Sequence, residues 1–293
     1  KTISNSDFLT GAFPAEYGNG IAAVFDLKMR NGNQEKYEGT FQLGFLGTEM
    51  ALEGPINKSK RSSFAATYRY STLKLFEGFN IKLGTDAIPS YQDYSFRLNF
   101  PLNKKSSIAF WGIGGTSNIN IVFSNILNTA EKNNDKYGFN DRDQLFRTDM
   151  NTFASSFSHT INSHTFLKLV VSYSYQKNSA IHLLTLRDSA TNKLADYTSL
   201  GYRFITNIAG FNGYVNHKFS SRFSMKAGAT LDYFSYDMLD TSINEQKLKS
   251  TFYPVLPNGR YNLGGPFNYQ PDIEYNLKYN TKTTSLLIQP YAQ

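Results

Sequence analysis

Phe223-Ser224-Met225-Lys226-Ala227-Gly228-Ala229-Thr230-Leu231-Asp232-Tyr233 alternates apolar and polar residues without a break. Successive side chains of an extended chain point to opposite faces. Phe223, Met225, Ala227, Ala229, Leu231 and Tyr233 therefore share one face, and Ser224, Lys226, Gly228, Thr230 and Asp232 the other. Three more segments repeat the pattern. Phe64, Ala66, Tyr68 and Tyr70 oppose Ser63, Ala65, Thr67 and Arg69. Tyr94, Phe96, Leu98 and Phe100 oppose Asp93, Ser95, Arg97 and Asn99. Leu167, Leu169, Val171, Tyr173 and Tyr175 line one face of the last. A water-filled lumen suits the polar faces and lipid suits the apolar ones, as in the wall of a membrane β-barrel.

Composition agrees. Among 293 residues there are 20 Tyr and 24 Phe against one Trp and five Met, an enrichment that favours strands. No run of about eighteen apolar residues occurs, so a bilayer-spanning helix is excluded and a barrel is the membrane route that is left. The absence of cysteine removes disulfides, thiolate metal sites and cysteine nucleophiles. Net charge is +7, but it is dispersed and no basic helix or zinc pattern accompanies it, so no nucleic-acid partner is expected.

Connections alternate in length. Short turns are expected at Asn57 to Lys60, Asn103 to Ser106, Asn162-Ser163 and Ser220-Ser221, and long polar loops at about 71–89, 118–143, 179–201 and 238–280. Short turns on the periplasmic side and long loops outside are the pattern of an outer-membrane barrel. A first strand near 37–46, a turn at Leu46-Gly47-Thr48 and a return to Ile56 place every short turn on one side. About ten strands are expected, several longer than the roughly nine to eleven residues that cross hydrocarbon, with the last running from near Thr283 to Gln293. An open sheet leaves two unpaired edges, which lipid penalises. The chain therefore reads as a piece of a larger barrel, and Lys1-Thr2-Ile3-Ser4-Asn5, without an apolar signal core, reads as preceded by further sequence.

Ahead of the strands lie Pro14-Ala15-Glu16-Tyr17-Gly18, then Ala22-Ala23-Val24-Phe25 and Asp26-Leu27-Lys28-Met29-Arg30. This stretch resembles the closing segment of the plug domain in TonB-dependent outer-membrane receptors. Alanines stand where that family usually has a Gly pair, which implies that no positive φ is needed there; Met29 stands where Thr is common. Pro14 to Gly18, Glu53-Gly54-Pro55-Ile56, Ser63-Phe64 and Arg69-Tyr70-Ser71 resemble members from the Bacteroidetes. The match covers about residues 8–71. It implies an all-β fold: residues 1–33 as the end of a plug, and 34–293 as the first ten or so strands of an antiparallel transmembrane barrel of twenty-two.

The same resemblance implies a non-enzymatic receptor in the outer membrane of a Gram-negative bacterium, importing a scarce nutrient with energy from a TonB–ExbB–ExbD complex. It implies contact with outer-membrane lipids, leaves room for a surface lipoprotein partner, and calls for no cofactor. The alternative is a plugged barrel that scaffolds a membrane complex without transport. A secreted β-sandwich is a third reading, disfavoured by apolar outward faces.

Individual residues carry weaker signals. Glu16 and Tyr17 either shape a turn beside Gly18 or contact the barrel wall and signal to it. Arg69, Arg97, Lys226 and Asp232 fall on polar faces, as solvated lumen residues or as part of a substrate path. Tyr253, Tyr261, Phe267 and Tyr269, beside prolines in the 238–280 loop, suit ligand capture. Asp135, Asp141 and Asp143 form an oxygen-rich loop that suits calcium only weakly, since the terminal Glu of an EF-hand is missing. His159, His164, His182 and His217 are scattered; the first two flank one turn without a third metal ligand. Lys58, Lys60, Arg61, Lys104, Lys105 and Arg222 mark the short turns, facing anionic headgroups or simply solvated. Tyr68, Tyr70, Tyr94, Tyr173, Tyr175 and Tyr233 suit an interfacial aromatic girdle. Neither a Gly-x-Ser-x-Gly elbow nor a Walker loop occurs.

Overall fold

The computed structural model describes residues 3–4, 6–18, 22–44, 47–71, 89–122, 142–187, 194–246, 248 and 273–293. Two short strands, β1 (Asp7–Leu9) and β2 (Val24–Asp26), pair antiparallel in the N-terminal segment. Ten further strands then form one antiparallel sheet: β3 (Glu38–Leu43), β4 (Thr48–Asn57), β5 (Ser62–Tyr70), β6 (Ser90–Pro101), β7 (Ser106–Ile121), β8 (Arg142–Asn162), β9 (Thr165–Arg187), β10 (Leu194–Lys218), β11 (Ser224–Ile243) and β12 (Tyr275–Ala292). Each pairs with its sequence neighbours, so the sheet is a simple meander with β3 and β12 at its edges. Among the described residues no helix is long and apolar enough to cross a membrane.

The turns on one side are built by the residues that open them. Asn57 Oδ1 accepts the Lys60 amide at 3.0 Å, Asn103 Oδ1 that of Lys105 at 2.8 Å, and Asn162 Oδ1 that of His164 at 2.9 Å. Ser220 Oγ accepts from Arg222 and Phe223. Side chains that mimic a backbone acceptor two or three residues ahead favour such tight reversals.

Register aligns the apolar faces into rows. Leu52, Ala66, Phe96, Gly112, Phe153, Tyr173, Ala209, Tyr233 and Leu286 form one continuous row across β4 to β12. Phe64, Leu98, Phe110, Ser155, Val171, Phe211, Leu231 and Ile288 form the next. Phe110, Phe153, Val171, Leu231, Leu286 and Ile288 are all exposed, so this face covers no core of the described residues. Gly112 has a packing role here. A Cβ would lie 2.6 Å from the Phe96 ring and 2.8 Å from that of Phe153, which close over the bare backbone with centroids 6.3 Å apart.

This face is bounded by two different edges. Towards the long connections the next row is Met50, Tyr68, Tyr94, Gly114, Asn151, Tyr175, Asn207, Ser235 and Thr284. Towards the short turns it ends at Ser106, His159, Leu167, Val215 and Ala227, with Phe219 and Phe223 packed at the turn beyond. Not one Asp, Glu, Lys or Arg lies in any of these rows. On this outward face the side chains are uncharged from Asn151 to His159 on β8, and from Met225 to Tyr233 on β11, where Lys226 and Asp232 point to the opposite face.

Strand extents differ from the sequence expectation at the far ends. The segment 179–201 is mostly strand: Leu183 to Arg187 pair with Leu194 to Thr198, and only 188–193 lie between. Polar residues occupy both faces there, Ser179 and Thr185 on one and His182 on the other, so alternation is lost while the backbone ladder continues. β12 begins at Tyr275 rather than near Thr283. Its alternation, Tyr275, Leu277 and Tyr279, is present but adjoins a Pro- and Asn-rich stretch. β8 to β11 reach 21, 23, 25 and 20 residues. Their ends are joined by Arg142, whose guanidinium grips Glu245 (Nη2 to Oε2 2.9 Å) and reaches Ser199, beside buried Leu184, Leu186, Ile243 and Leu248.

Candidate functional site

The N-terminal segment lies against the polar face of the sheet and touches strands near both edges. On one flank Arg30 and Asn33 bind Glu53 of β4, Gly32 sits on the β5 backbone, and Asn31 accepts from Arg97 of β6 (2.7 Å). On the other flank Glu16 pairs with Lys226 of β11, and the Ala15 amide donates to Gln293 Oε1 at 2.8 Å, just past β12. A segment that meets both flanks requires the sheet to curl around it. Between them is a cavity of about 900 Å³ whose lining comes from every strand from β4 to β11, including Arg69, Arg97, Trp111, Lys168 and Lys226.

The attachment at Glu53 is the tightest. Arg30 Nη1 and Nη2 donate to its two oxygens at 2.7 and 2.5 Å, and the Asn33 amide adds a third bond at 2.9 Å. Forked charge-assisted bonds of this kind fix orientation as well as distance. Gly32 permits the approach: a Cβ there would lie 1.8 Å from the Phe64 carbonyl oxygen.

Pro14 opens a short 3₁₀ turn, Ala15–Tyr17, closed by the Tyr17 amide on the Pro14 carbonyl at 3.0 Å. That turn aims Glu16 at Lys226, whose ammonium lies 4.2 Å from the Tyr214 ring centroid. Tyr17 faces the cavity with Asp26 and Lys28. Burial, then the negative charges of Asp26 and Glu16, push its phenol up to about 12. Gly18 packs against Gln289 of β12. Lys28 is tied to Asp7 at 2.6 Å and lies 3.5 Å from Asp26, which holds the segment together across β1 and β2.

The four polar-face candidates are used differently. Arg69 pairs with Asp93 on the neighbouring strand at 2.7 Å, Arg97 reaches Asn31, and Lys226 reaches Glu16. Asp232 lies against Gly210, and no ion pair is found for it among the described residues. Tyr253, Tyr261, Phe267, Tyr269, Asp135 and Asp141 lie outside the described residues; Asp143 stands on β8 opposite Leu183. His159 and His164 do not converge: the first bonds Ser106 and the second Ser163. Among the described residues no group of three His, Asp or Glu could hold a metal ion.

Sequence reading missed Glu53, Asn31 and Asn33 as the seat of the segment, and Trp111 and Lys168 in the cavity. Glu53 had a usable signal, a carboxylate on the polar face of β4 with Arg30 at the end of the preceding basic stretch.

No protein-family model matches the chain, and no curated protein matches it in sequence. Solved structures similar in shape include BauA, the ferric preacinetobactin receptor from Acinetobacter baumannii, at 9% identity and a TM-score of 0.49, over 91% of this chain and 40% of that one. The ferric-catecholate import receptor Fiu from E. coli K12 in its open form gives 11% and 0.47, over 97% and 56%. Its closed form gives 8% and 0.44, over 92% and 43%. The chain thus spans well under two thirds of the length of these receptors. Likeness at this level carries no weight for what the chain does.

Proposed function

We propose that this chain is part of a TonB-dependent outer-membrane receptor of the Bacteroidetes type, in which residues up to about 33 end a plug and the following strands form part of a barrel wall. It would take a nutrient from outside to the periplasm, driven by the TonB–ExbB–ExbD complex. One observation carries this reading. The outward face is uncharged over a height of about nine to eleven residues, as hydrocarbon requires, while the N-terminal segment is clamped by ion pairs inside the curl of the same sheet. A soluble sandwich has no use for an exposed apolar band backed by a polar cavity. The tyrosines along the upper edge, Tyr68, Tyr94 and Tyr175, suit the headgroup level.

The test is uptake. Cells lacking the native polypeptide that carries these residues should lose growth on one limiting nutrient, and cells lacking the energy-coupling complex should show the same loss. Recovery of the polypeptide in a stable outer-membrane complex, with no uptake defect on any nutrient, would replace transport by the scaffolding reading.

A further inference from the structure

Immediately above the tyrosine row, on the same outward face, the character of the wall changes within one step. The next two rows hold Asp149, Lys177, Asp237 and Lys282, then Arg147 and Arg203. These six charges fall into two groups of like construction. Asp149 accepts three bonds from Arg147, at 2.9, 3.0 and 3.2 Å, and is the register partner of Lys177. Asp237 lies 3.4 Å from both Arg203 and Lys282. Asp237 thus has two cations on it, Asp149 has Arg147 on it and Lys177 beside it, and each group keeps one positive charge in excess.

The carboxylates are sunk and the cations stand out: Asp149 and Asp237 are 14% and 23% exposed, against 54% for Arg147, 45% for Arg203 and 78% for Lys282. The two carboxylates, Asp149 on β8 and Asp237 on β11, are three strand spacings apart, roughly 14 Å. Surface ion pairs alone gain little, and they do not require a second cation beside each carboxylate. A phosphate placed just outside the tyrosine row at either group would meet that group's excess charge.

We propose that these two groups bind phosphates of anionic lipid headgroups in the leaflet on the side of the long connections. This rests on the membrane reading above, which puts the tyrosine row at the headgroup level and these charges just beyond it. A cation near an anionic surface strengthens attachment by about fivefold, and guanidinium forks match phosphate oxygens.

The native polypeptide, reconstituted in phosphatidylcholine vesicles with and without one-tenth of a bis-phosphorylated glycolipid, tests this by lipid co-purification after detergent extraction. The unsubstituted protein should retain the phosphorylated lipid and discard its dephosphorylated form. A variant with Arg147→Gln, Lys177→Gln, Arg203→Gln and Lys282→Gln should bind it at least about tenfold more weakly, while Asp149→Asn with Asp237→Asn should bind it more tightly. Free inorganic phosphate at millimolar concentration should not displace it; displacement would mean a site for the soluble anion and would overturn the lipid assignment. Equal retention by all variants, or no preference for phosphate, would also overturn it while leaving the membrane reading intact. Failure of the unsubstituted protein to enter vesicles would overturn both.

Discussion

The guanidinium of Arg30 and the carboxylate of Glu53 face each other as a two-bond fork, at 2.7 and 2.5 Å, between the end of the N-terminal segment and the second strand of the sheet. Glu53 is only 15% exposed and also holds the Asn33 amide, so one side chain fixes three donors. Chain direction changes within a few residues of this fork, from the segment inside the curl to the wall itself. The fork therefore sets where the segment leaves the wall.

Glu53→Gln should loosen that exit. The charge and one acceptor of the fork are lost, which costs roughly 1–3 kcal/mol for a partly buried charged bond. Arg30→Lys, which keeps the charge and loses the fork, should cost less, about 1 kcal/mol, since Arg30 is partly exposed. Limited proteolysis near residues 31–36 reads both. Unchanged cleavage in Glu53→Gln would mean that the segment is held elsewhere.

Gly32→Ala should act on the same joint by contact alone. A methyl cannot sit 1.8 Å from the Phe64 carbonyl oxygen, so the segment must lift from β5. Gly11→Ala is the control, since nothing lies within 4 Å of a Cβ there. Faster proteolysis in Gly32→Ala with none in Gly11→Ala is the expected pattern. Equal behaviour would contradict the close approach.

Glu16 and Lys226 join the segment to the opposite flank, both about one-fifth exposed. Either single charge reversal, Glu16→Lys or Lys226→Glu, places like charges together and should weaken docking by about 1–3 kcal/mol. The double reversal should restore most of it. A double-mutant cycle on proteolytic half-life gives the coupling directly; a cycle that closes at zero would make the pair incidental.

What was legible in sequence follows where one physical constraint acts alone. β5, β6, β9 and β11 were readable because one face is apolar and the other is not, and Asn57, Asn103, Asn162 and Ser220 announced their turns through their own side-chain oxygens. The upper halves of β9 and β10 were not readable. Residues such as Ser179, His182 and Thr185 put polar groups on both faces, so no alternation marks a strand there. The seat of the segment was illegible for another reason. Arg30 and Glu53 are each ordinary surface charges until the curl of the sheet brings them together, and that curl belongs to ten strands at once.

Tyr17 provides a pH test of the segment. Its phenol rises to about 12 in the folded protein, first through burial and then through Asp26 and Glu16, against an ordinary value of 10.0. A raised folded value favours the protonated form, so this contribution to docking is complete below pH 10 and fades as pH climbs from 10 to about 12. In Tyr17→Phe the fading should vanish. Ultraviolet titration of the native protein against that variant should show one phenol ionising near 12; ionisation near 10 would mean an open, solvated Tyr17.

Trp111 is the chain's single tryptophan, and it lines the cavity while its neighbour Phe110 stands exposed on the opposite face. That makes its fluorescence a direct report on which face meets lipid. In vesicles of brominated phosphatidylcholine, bromine on the acyl chains should quench Trp111 weakly, and aqueous acrylamide should quench it well through the hydrated cavity. Moving the indole by one residue, with Trp111→Phe and Phe110→Trp together, should reverse both responses, because adjacent residues of a strand point to opposite faces. Strong bromine quenching at Trp111 with none at position 110 would turn the sheet inside out, and with it the assignment of cavity and membrane faces.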